Sequence, residues 1–247
     1  MLRSVNSLRG YSILATDGEI GAVDDLFFDD QTWAVAYLVA RLGGLLDAKR
    51  VLLPPTALGR PDWEKQQFPV AASKRDIENC PDIDLDKPIS RQHEEELFKY
   101  FGWAPYWMPG GAPMGVLPII PPPIPETSTA TDPDEHADPH LQSARDVVGY
   151  RLQATDGRIG HVDDFVVDDA TWSFKYIVVD TAILLAGRKV IIAPRWIRSI
   201  NWEDQTVQIE FSMQMVKDSP HFDPSAPINE AYERRLYDYY GRPILPT

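Results

Sequence analysis

The sequence of 247 residues predicts a mainly β fold, built as two small antiparallel β-barrels that are each followed by a short helix. The first observation is a duplication, because residues 10–102 align without a gap to residues 149–241 and 33 of the 93 positions are identical. The second is that each copy holds several short apolar segments at regular spacing, separated by turn residues. A long unit that occurs only twice indicates two globular domains, since solenoids use shorter and more numerous units.

The strands of each copy follow from its turns. Asp17-Gly18 and Asp156-Gly157 lie between alternating apolar residues, and Asp-Gly supplies the positive φ angles of a tight hairpin turn. In the first copy this predicts strands at 11–16 and 20–29, with a third at 33–40 after a second turn. The remaining predicted strands are 50–53 in the first copy and 174–179, 189–192, 196–202 and 207–211 in the second.

A helix is predicted at the end of each copy. Ser90 and Asn229 each follow a Pro-Ile pair as N-cap residues, and Gly102 and Gly241 are typical helix-ending glycines. Between them, apolar and aromatic residues recur along one helix face, which must be covered by a barrel. The predicted packing residues of this stripe are Leu97, Tyr100 and Phe101 in the first copy and Leu236, Tyr239 and Tyr240 in the second.

The two copies are joined by a proline-rich, acidic linker at residues 103–144, so the predicted domains are 1–102 and 145–247. The linker holds ten of the 22 prolines and no Lys or Arg. Its polar half reads as a flexible tether. Its apolar half packs back on a barrel in one interpretation and binds a partner protein in the other. The candidate partner-binding residues are Trp103, Tyr106, Trp107 and Met108.

Net charge, cysteine content and the absence of targeting signals indicate which classes of protein are expected. The net charge of −13 argues against direct nucleic-acid binding and against docking on an anionic membrane surface. A single cysteine, Cys80, excludes an intrachain disulfide. With neither a signal peptide nor an apolar run long enough for a transmembrane segment, a cytoplasmic location is expected.

Paired aspartates are the first candidates for chemistry. Clustered carboxylates can bind a cation or act as acid and base, but adjacent residues of a strand point to opposite faces and cannot chelate one ion together. We therefore interpret them as turn-forming and solvated edge residues, with a recognition patch and a metal site as alternatives. These pairs are Asp24-Asp25, Asp29-Asp30, Asp163-Asp164 and Asp168-Asp169.

Neither copy supplies a recognisable catalytic or cofactor site. The histidines do not recur between the copies, since His161 aligns with Ala22 and His93 with Tyr232. A serine-histidine-acid order, a glycine-rich phosphate loop and a nucleotide fingerprint are all missing from the sequence. We predict no catalytic residues, no cofactor and no metal ligands, and hence no enzyme.

The repeated motif resembles the PRC-barrel family. The matching residues are GYSILATDGEIGAVDD in the first copy and GYRLQATDGRIGHVDD in the second, followed by the Asp-Asp-x-Thr-Trp turn and the strands KRVLLP and RKVIIAP. The resemblance, to stand-alone bacterial members with two such domains, implies a small β-barrel that serves as an assembly or adaptor module. The family also includes the cytoplasmic domain of the photosynthetic reaction-centre H subunit and a ribosome maturation factor.

The expected function is therefore a non-catalytic scaffold or adaptor that binds another protein. The duplication adds a hypothesis, because related domains are expected to pair and the two repeats would then form an internal pseudo-dimer. One alternative is an accessory protein of a photosynthetic or membrane complex, and another is a ribosome- or RNA-maturation-associated factor.

Overall fold

The computed structural model describes residues 1–43, 49–80, 91–102, 140–182 and 187–244. It confirms the mainly β class, because most of the regular structure in these residues belongs to two sheets of six and seven strands. Short helices and 3₁₀ turns connect the strands in the same order in both repeats.

The first repeat begins with a strand and a helical turn that the sequence patterns did not predict. Its strands are β1 (Leu2–Ser4), β2 (Ser12–Ala15), β3 (Gly18–Asp29), β4 (Val35–Leu42), β5 (Lys49–Leu53) and β6 (Gln67–Pro69). Its helices are α1 (Val5–Leu8), α2 (Lys74–Glu78) and α3 (Arg91–Phe101), and a 3₁₀ turn covers Pro55–Ala57.

The second repeat has the same elements and one additional strand. Its strands are β7 (Leu141–Ser143), β8 (Arg151–Ala154), β9 (Gly157–Asp168), β10 (Ser173–Asp180), β11 (Lys189–Ile192), β12 (Ile197–Asn201) and β13 (Thr206–Ile209). Its helices are α4 (Ala144–Val147), α5 (Met213–Lys217) and α6 (Glu230–Tyr240), with a 3₁₀ turn at Pro194–Trp196. β7 lies within the stretch assigned above to the linker.

Both sheets differ in detail from the expected antiparallel barrels. The strand orders are β5-β4-β3-β2-β6 and β11-β10-β9-β8-β13-β12, and neither order closes into a ring within the described residues. β2 pairs with β6 in parallel, and β8 pairs with β13 in parallel. β6 and β13 each pair with a strand that begins 55 positions earlier, Ser12 opposite Gln67 and Arg151 opposite Thr206, so the chain between the two strands sets their relative direction.

The hairpins themselves form at the Asp-Gly pairs. Ala15 pairs with Gly18 and Ala154 pairs with Gly157, so the turn residues are 16–17 and 155–156, one position earlier than the Asp-Gly pairs predicted, and only the glycine of each pair has a positive φ. The inward residues of the paired strands form the core, and Phe28, Tyr37 and Phe165 are among its completely buried side chains.

The terminal helix of the second repeat ends as the sequence predicted. The Asn229 side chain accepts a hydrogen bond from the Tyr232 backbone N–H, and Gly241 adopts a left-handed conformation with φ of 61°. In the first repeat Gly102 also has a positive φ of 67°, whereas Ser90 lies outside the described residues.

The predicted stripe residues of the two terminal helices lie at different depths. Leu97 and Leu236 are fully buried, and Tyr240 is 4% exposed and packs on Trp196 and Phe211 of its own repeat. Tyr239 is half-buried and donates to the Met215 carbonyl at 2.8 Å. In α3, Phe101 is half-buried and Tyr100 is 45% exposed, while Phe98, which the pattern omitted, is buried.

Backbone contacts group the chain into two compact units. The first comprises Met1–Arg9, Asp25–Val35 and Gln142–Thr247, and the second comprises Gly10–Asp24 and Ala36–Leu141. The first unit therefore contains segments of both repeats. The boundaries 1–102, 103–144 and 145–247 stay a prediction from the sequence.

Candidate functional site

The first unit contains a strand that the first repeat contributes to the sheet of the second. β1 pairs antiparallel with the end of β9, with Leu2 opposite Asp168 and Ser4 opposite Val166. β10 occupies the other edge of β9 at these positions, so β1 continues the edge that β8 leaves vacant. The corresponding strand of the second repeat, β7, pairs with β3. The exchange of N-terminal strands is thus reciprocal.

Asp164 fixes the segment that follows β1. Its carboxylate accepts hydrogen bonds from the Ser4 hydroxyl and from the backbone N–H of Asn6, the latter at 3.0 Å, and also from the N–H of Phe165 at 2.8 Å. Ser4 is itself the N-cap of α1, so the same contact holds the start of this helical turn.

Asp25 makes the same set of contacts with the segment that follows β7. Its carboxylate accepts from the Ser143 hydroxyl at 2.6 Å, from the Arg145 N–H at 3.1 Å and from the Leu26 N–H at 2.8 Å. The Arg9 guanidinium lies 3.8 Å from the same carboxylate. We call these two sets of contacts the aspartate latches.

Burial dominates the electrostatics of the aspartate latches. Asp25 is 4% exposed and Asp164 is 7% exposed. Removal from water raises the pKa of both carboxyl groups above the ordinary value, although the hydrogen bonds from the serine hydroxyls and backbone N–H groups oppose the shift. The interpretation of these two aspartates as solvated edge residues is therefore wrong.

The other aspartate of each pair points away, as the alternation of a strand requires. Asp24 forms ion pairs with Arg50 at 3.2 Å and Arg41 at 4.0 Å, and Asp163 forms one with Lys189 at 2.7 Å. Neighbouring aspartates thus have separate partners and do not act as one pair.

The Asp-Asp-x-Thr-Trp turns behave as predicted and add a feature that was missed. Asp29 accepts hydrogen bonds from the Gln31 and Thr32 N–H groups at 3.1 and 2.7 Å, which makes it turn-forming. Each turn ends on a tryptophan with a positive φ, 62° at Trp33 and 49° at Trp172, a rare conformation for a bulky side chain.

The two tryptophan carbonyls link the turns of the two repeats. Val35 N–H donates to the Trp172 carbonyl at 2.7 Å, and Phe174 N–H donates to the Trp33 carbonyl at 2.8 Å. The left-handed tryptophan conformation turns each carbonyl toward the other repeat. Beside these bonds lies a ring cluster of Phe28, Phe165 and Phe174, with centroids 4.8–5.6 Å apart.

An open cleft lies on the first unit next to these turns. Its volume is about 820 Å³, and both apolar and charged side chains line it. The Arg195 guanidinium lies 4.7 Å from the centre of the Tyr237 ring, and Tyr176 donates a hydrogen bond to Glu233 at 2.6 Å. Other lining residues are Trp33, Lys175 and Ile197.

Comparison with known families supports the resemblance drawn from the motif. Residues 2–73 match the family model of the PRC-barrel domain. The chain contains a PRC-barrel domain. The match begins at β1 and ends beyond β6, so it includes Asp25 and the first Asp-Gly hairpin. No curated protein matches the chain.

The PRC-barrel match lies within the first repeat and ends before α3, and the second repeat shares the order of elements of the first. Within the described residues no helix has the length and apolar character needed to cross a membrane. The four candidate partner-binding residues Trp103, Tyr106, Trp107 and Met108 lie outside the described residues.

Sequence reasoning missed Ser4, Ser143 and the two latch aspartates as a functional group. Each serine binds an aspartate of the other repeat, more than 100 positions away in the sequence. The spacing of residues along the chain therefore gives no indication of the contact. A signal was nevertheless present, because Ser4 and Ser143 are separated by the same 139 positions as the rest of the duplication.

Proposed function

We propose that this PRC-barrel protein is a non-catalytic adaptor that binds other proteins, and that its two repeats pair as an internal pseudo-dimer. The observation that supports the proposal best is the reciprocal exchange of N-terminal segments, in which β1 joins β9 and β7 joins β3. Exchange of identical elements is a common way for related domains to associate.

The aspartate latches support the pairing energetically. Each carboxylate accepts three hydrogen bonds, two of which come from the other repeat. Hydrogen bonds to a charged acceptor each contribute about 1.5–3 kcal/mol, and an unsatisfied buried donor costs a similar amount. The exchanged segments are therefore held by interactions that neither repeat makes alone.

The buried acidic groups support the absence of catalysis, because they are engaged in structural contacts. Asp25 and Asp164 bind backbone and serine donors, and Glu94 accepts from the Tyr37 hydroxyl at 2.6 Å. A general acid or base must reach a substrate proton within hydrogen-bond distance. These carboxylates are enclosed and face structural partners instead.

The cleft of the first unit is the proposed partner surface. Its lining includes Trp33, Tyr237 and Arg195, and aromatic residues and arginine are enriched in protein–protein interfaces. The aromatic half of the linker, Trp103 to Met108, stays a second prediction for partner binding.

The cleft is tested by a quantitative pull-down from the native cell with mass spectrometry. We expect the double variant Lys175→Glu/Arg195→Glu to lose most of the partner that the wild-type chain captures, because it reverses two charges at the cleft. Arg198→Glu, an exposed arginine of β12 outside the cleft, is the matched control and should capture the partner fully.

Equal capture by the wild type and the cleft variant would refute the cleft as the partner surface. A chain that captures nothing above the level of an unrelated acidic protein would refute the adaptor role itself. Co-sedimentation of the captured complex with ribosomes or membranes, at low and high salt, separates the ribosome-associated and membrane-accessory alternatives from a cytoplasmic adaptor.

A further inference from the structure

Three metal-ligating side chains meet on one face of the second repeat's sheet. His161 and Asp163 are two residues apart on β9 and therefore share a face, and Asp180 of β10 is the cross-strand neighbour of His161. One ligand atom from each of the three lies within 4.8 Å of the other two, and all three side chains are half-buried.

A glycine allows the two strands to approach this closely. Gly160 precedes His161 with φ of +87°, and a Cβ atom at that position would lie 1.9 Å from the Asp180 carbonyl oxygen. A side chain there would push β10 away, so the glycine permits the packing of Asp180 against His161.

The first repeat has the opposite charge arrangement at the same place. The residues that align with the three ligands are Ala22, Asp24 and Arg41. There the Arg41 and Arg50 guanidinium groups form ion pairs with Asp24, so the single carboxylate is neutralised by the chain itself. In the second repeat, His161 replaces an alanine and Asp180 replaces an arginine. The change adds two ligands and removes a cation.

We propose that His161, Asp163 and Asp180 bind a divalent transition-metal ion of the Zn²⁺ class. Zn²⁺ accepts histidine nitrogen and carboxylate oxygen, and three protein ligands leave a fourth position for water or a partner's side chain. Ligand atoms bonded to Zn²⁺ at about 2.1 Å in a tetrahedron are roughly 3.4 Å apart. Side-chain rotation closes the remaining separation.

The positively charged side chains near the cluster do not neutralise both of its carboxylates. Lys189 of β11 competes directly, since its ammonium lies 2.7 Å from the Asp163 carboxylate. Arg151 of β8 pairs with His161 across the strands, but its guanidinium donates to the Asp204 carbonyl at 2.6 Å. Two carboxylates against one ammonium leave a net negative charge at the cluster.

The proposal is tested by calorimetric titration of the metal-free, untagged full-length chain with Zn²⁺, and with Co²⁺ as the spectroscopic probe. We expect one equivalent to bind with a Co²⁺ absorption band that His161→Ala abolishes. The affinity for Zn²⁺ should fall by at least about tenfold in that variant, because even residues that only support a ligand contribute that much.

Two matched variants separate this site from general attraction to an acidic chain. His221→Ala removes an exposed histidine outside the cluster and should leave the affinity unchanged. Lys189→Met removes the competing ammonium and should raise the affinity at least about fivefold. Failure of the wild type to bind, or equal binding by wild type and His161→Ala, would overturn the proposal and leave the adaptor role untouched.

The first repeat offers a gain-of-function test. The double variant Ala22→His/Arg41→Asp recreates the ligand set there and should bind a second equivalent. If it melts cooperatively yet binds only one equivalent, the three-residue set is not sufficient for a site and the proposal is contradicted.

Discussion

The two repeats are alike in the aspartate latches and opposite on the sheet face beside them. In each latch an aspartate binds a serine hydroxyl and a backbone N–H of the other repeat, with Asp25 and Asp164 in equivalent positions. On the neighbouring face, the first repeat presents two arginines around one aspartate, and the second presents a histidine, two aspartates and a lysine. These sets are Ala22, Asp24, Arg41 and Arg50, and His161, Asp163, Asp180 and Lys189.

The comparison shows that the two repeats share the buried residues that stabilise the fold and differ in the half-exposed residues of the sheet face. A latch residue cannot change without leaving buried donors unsatisfied, which costs stability directly. A half-exposed charge can be reversed at little cost, because its interactions are screened by water. The second repeat is therefore free to acquire a cluster that the first does not have.

The largest effect is expected from a charge placed under the terminal helices. Leu97→Asp and Leu236→Asp each put a carboxylate at a fully buried position, which should cost about 4 kcal/mol or more and unfold or separate the repeats. Thermal melting and small-angle scattering measure the outcome. Tyr100→Asp is the control, because Tyr100 is 45% exposed. An unchanged melting temperature and radius in both leucine variants would contradict the packing of the helices on the core.

Next in size is the loss of an aspartate latch. Asp25→Ala and Asp164→Ala each leave a serine hydroxyl and a part-buried backbone N–H without their acceptor, at a cost of about 3 kcal/mol in chemical denaturation. Glu203→Ala, in an exposed turn, should change the free energy of unfolding little. If only one of the two aspartates mattered, the latches would not be equivalent and the reciprocal pairing would lose its main support.

A smaller change in the free energy of unfolding is expected at the tyrosine–glutamate hydrogen bond that both repeats contain. Tyr37 donates to Glu94, which is completely buried, and Tyr176 donates to the more exposed Glu233, both at 2.6 Å. We expect Tyr37→Phe to cost about 2 kcal/mol and Tyr176→Phe about 1 kcal/mol, because a carboxylate that water can reach recovers hydration. Equal costs in denaturant unfolding would show that burial of the glutamate does not decide the strength of the contact.

The smallest effect is the pH dependence of the aspartate latches. Burial raises the pKa of Asp25 and Asp164 in the folded protein, so the folded state binds protons more tightly than the unfolded state. Their contribution to stability is full below the unfolded pKa and is lost as the pH rises through the folded pKa. As the pH falls from 7 toward the unfolded pKa of about 3.9, the wild type should therefore gain stability relative to the Asp25→Asn/Asp164→Asn variant. A relative loss in paired denaturation curves would reverse the sign and contradict burial as the dominant cause.

Local signals predicted the hairpins and the second terminal helix well. The Asp-Gly pairs set the turns between β2 and β3 and between β8 and β9, and Asn229 and Gly241 bound α6. These elements depend on φ angles and hydrogen bonds within a few residues, which the sequence states directly.

β1 and β7 could not be predicted in the same way. Each has three residues, too few for a periodic pattern, and the partner of β1 lies more than 160 positions away on β9. For the same reason the burial of Asp25 and Asp164 was not foreseen, since it depends on which segment covers them. The parallel pairings of β6 with β2 and of β13 with β8 also join strands that begin 55 positions apart in the sequence.

The sequence by itself determined the duplication, the mainly β class, the hairpin turns, the helix caps and the resemblance to the PRC-barrel family. Only the tertiary structure decided that Ser4 meets Asp164, that Ser143 meets Asp25, and that His161, Asp163 and Asp180 share a face. The physical reason is the distance along the chain between the interacting groups. Turns and helix caps depend on neighbouring backbone groups, whereas a buried carboxylate or a cluster of metal ligands requires residues that only the chain topology brings together.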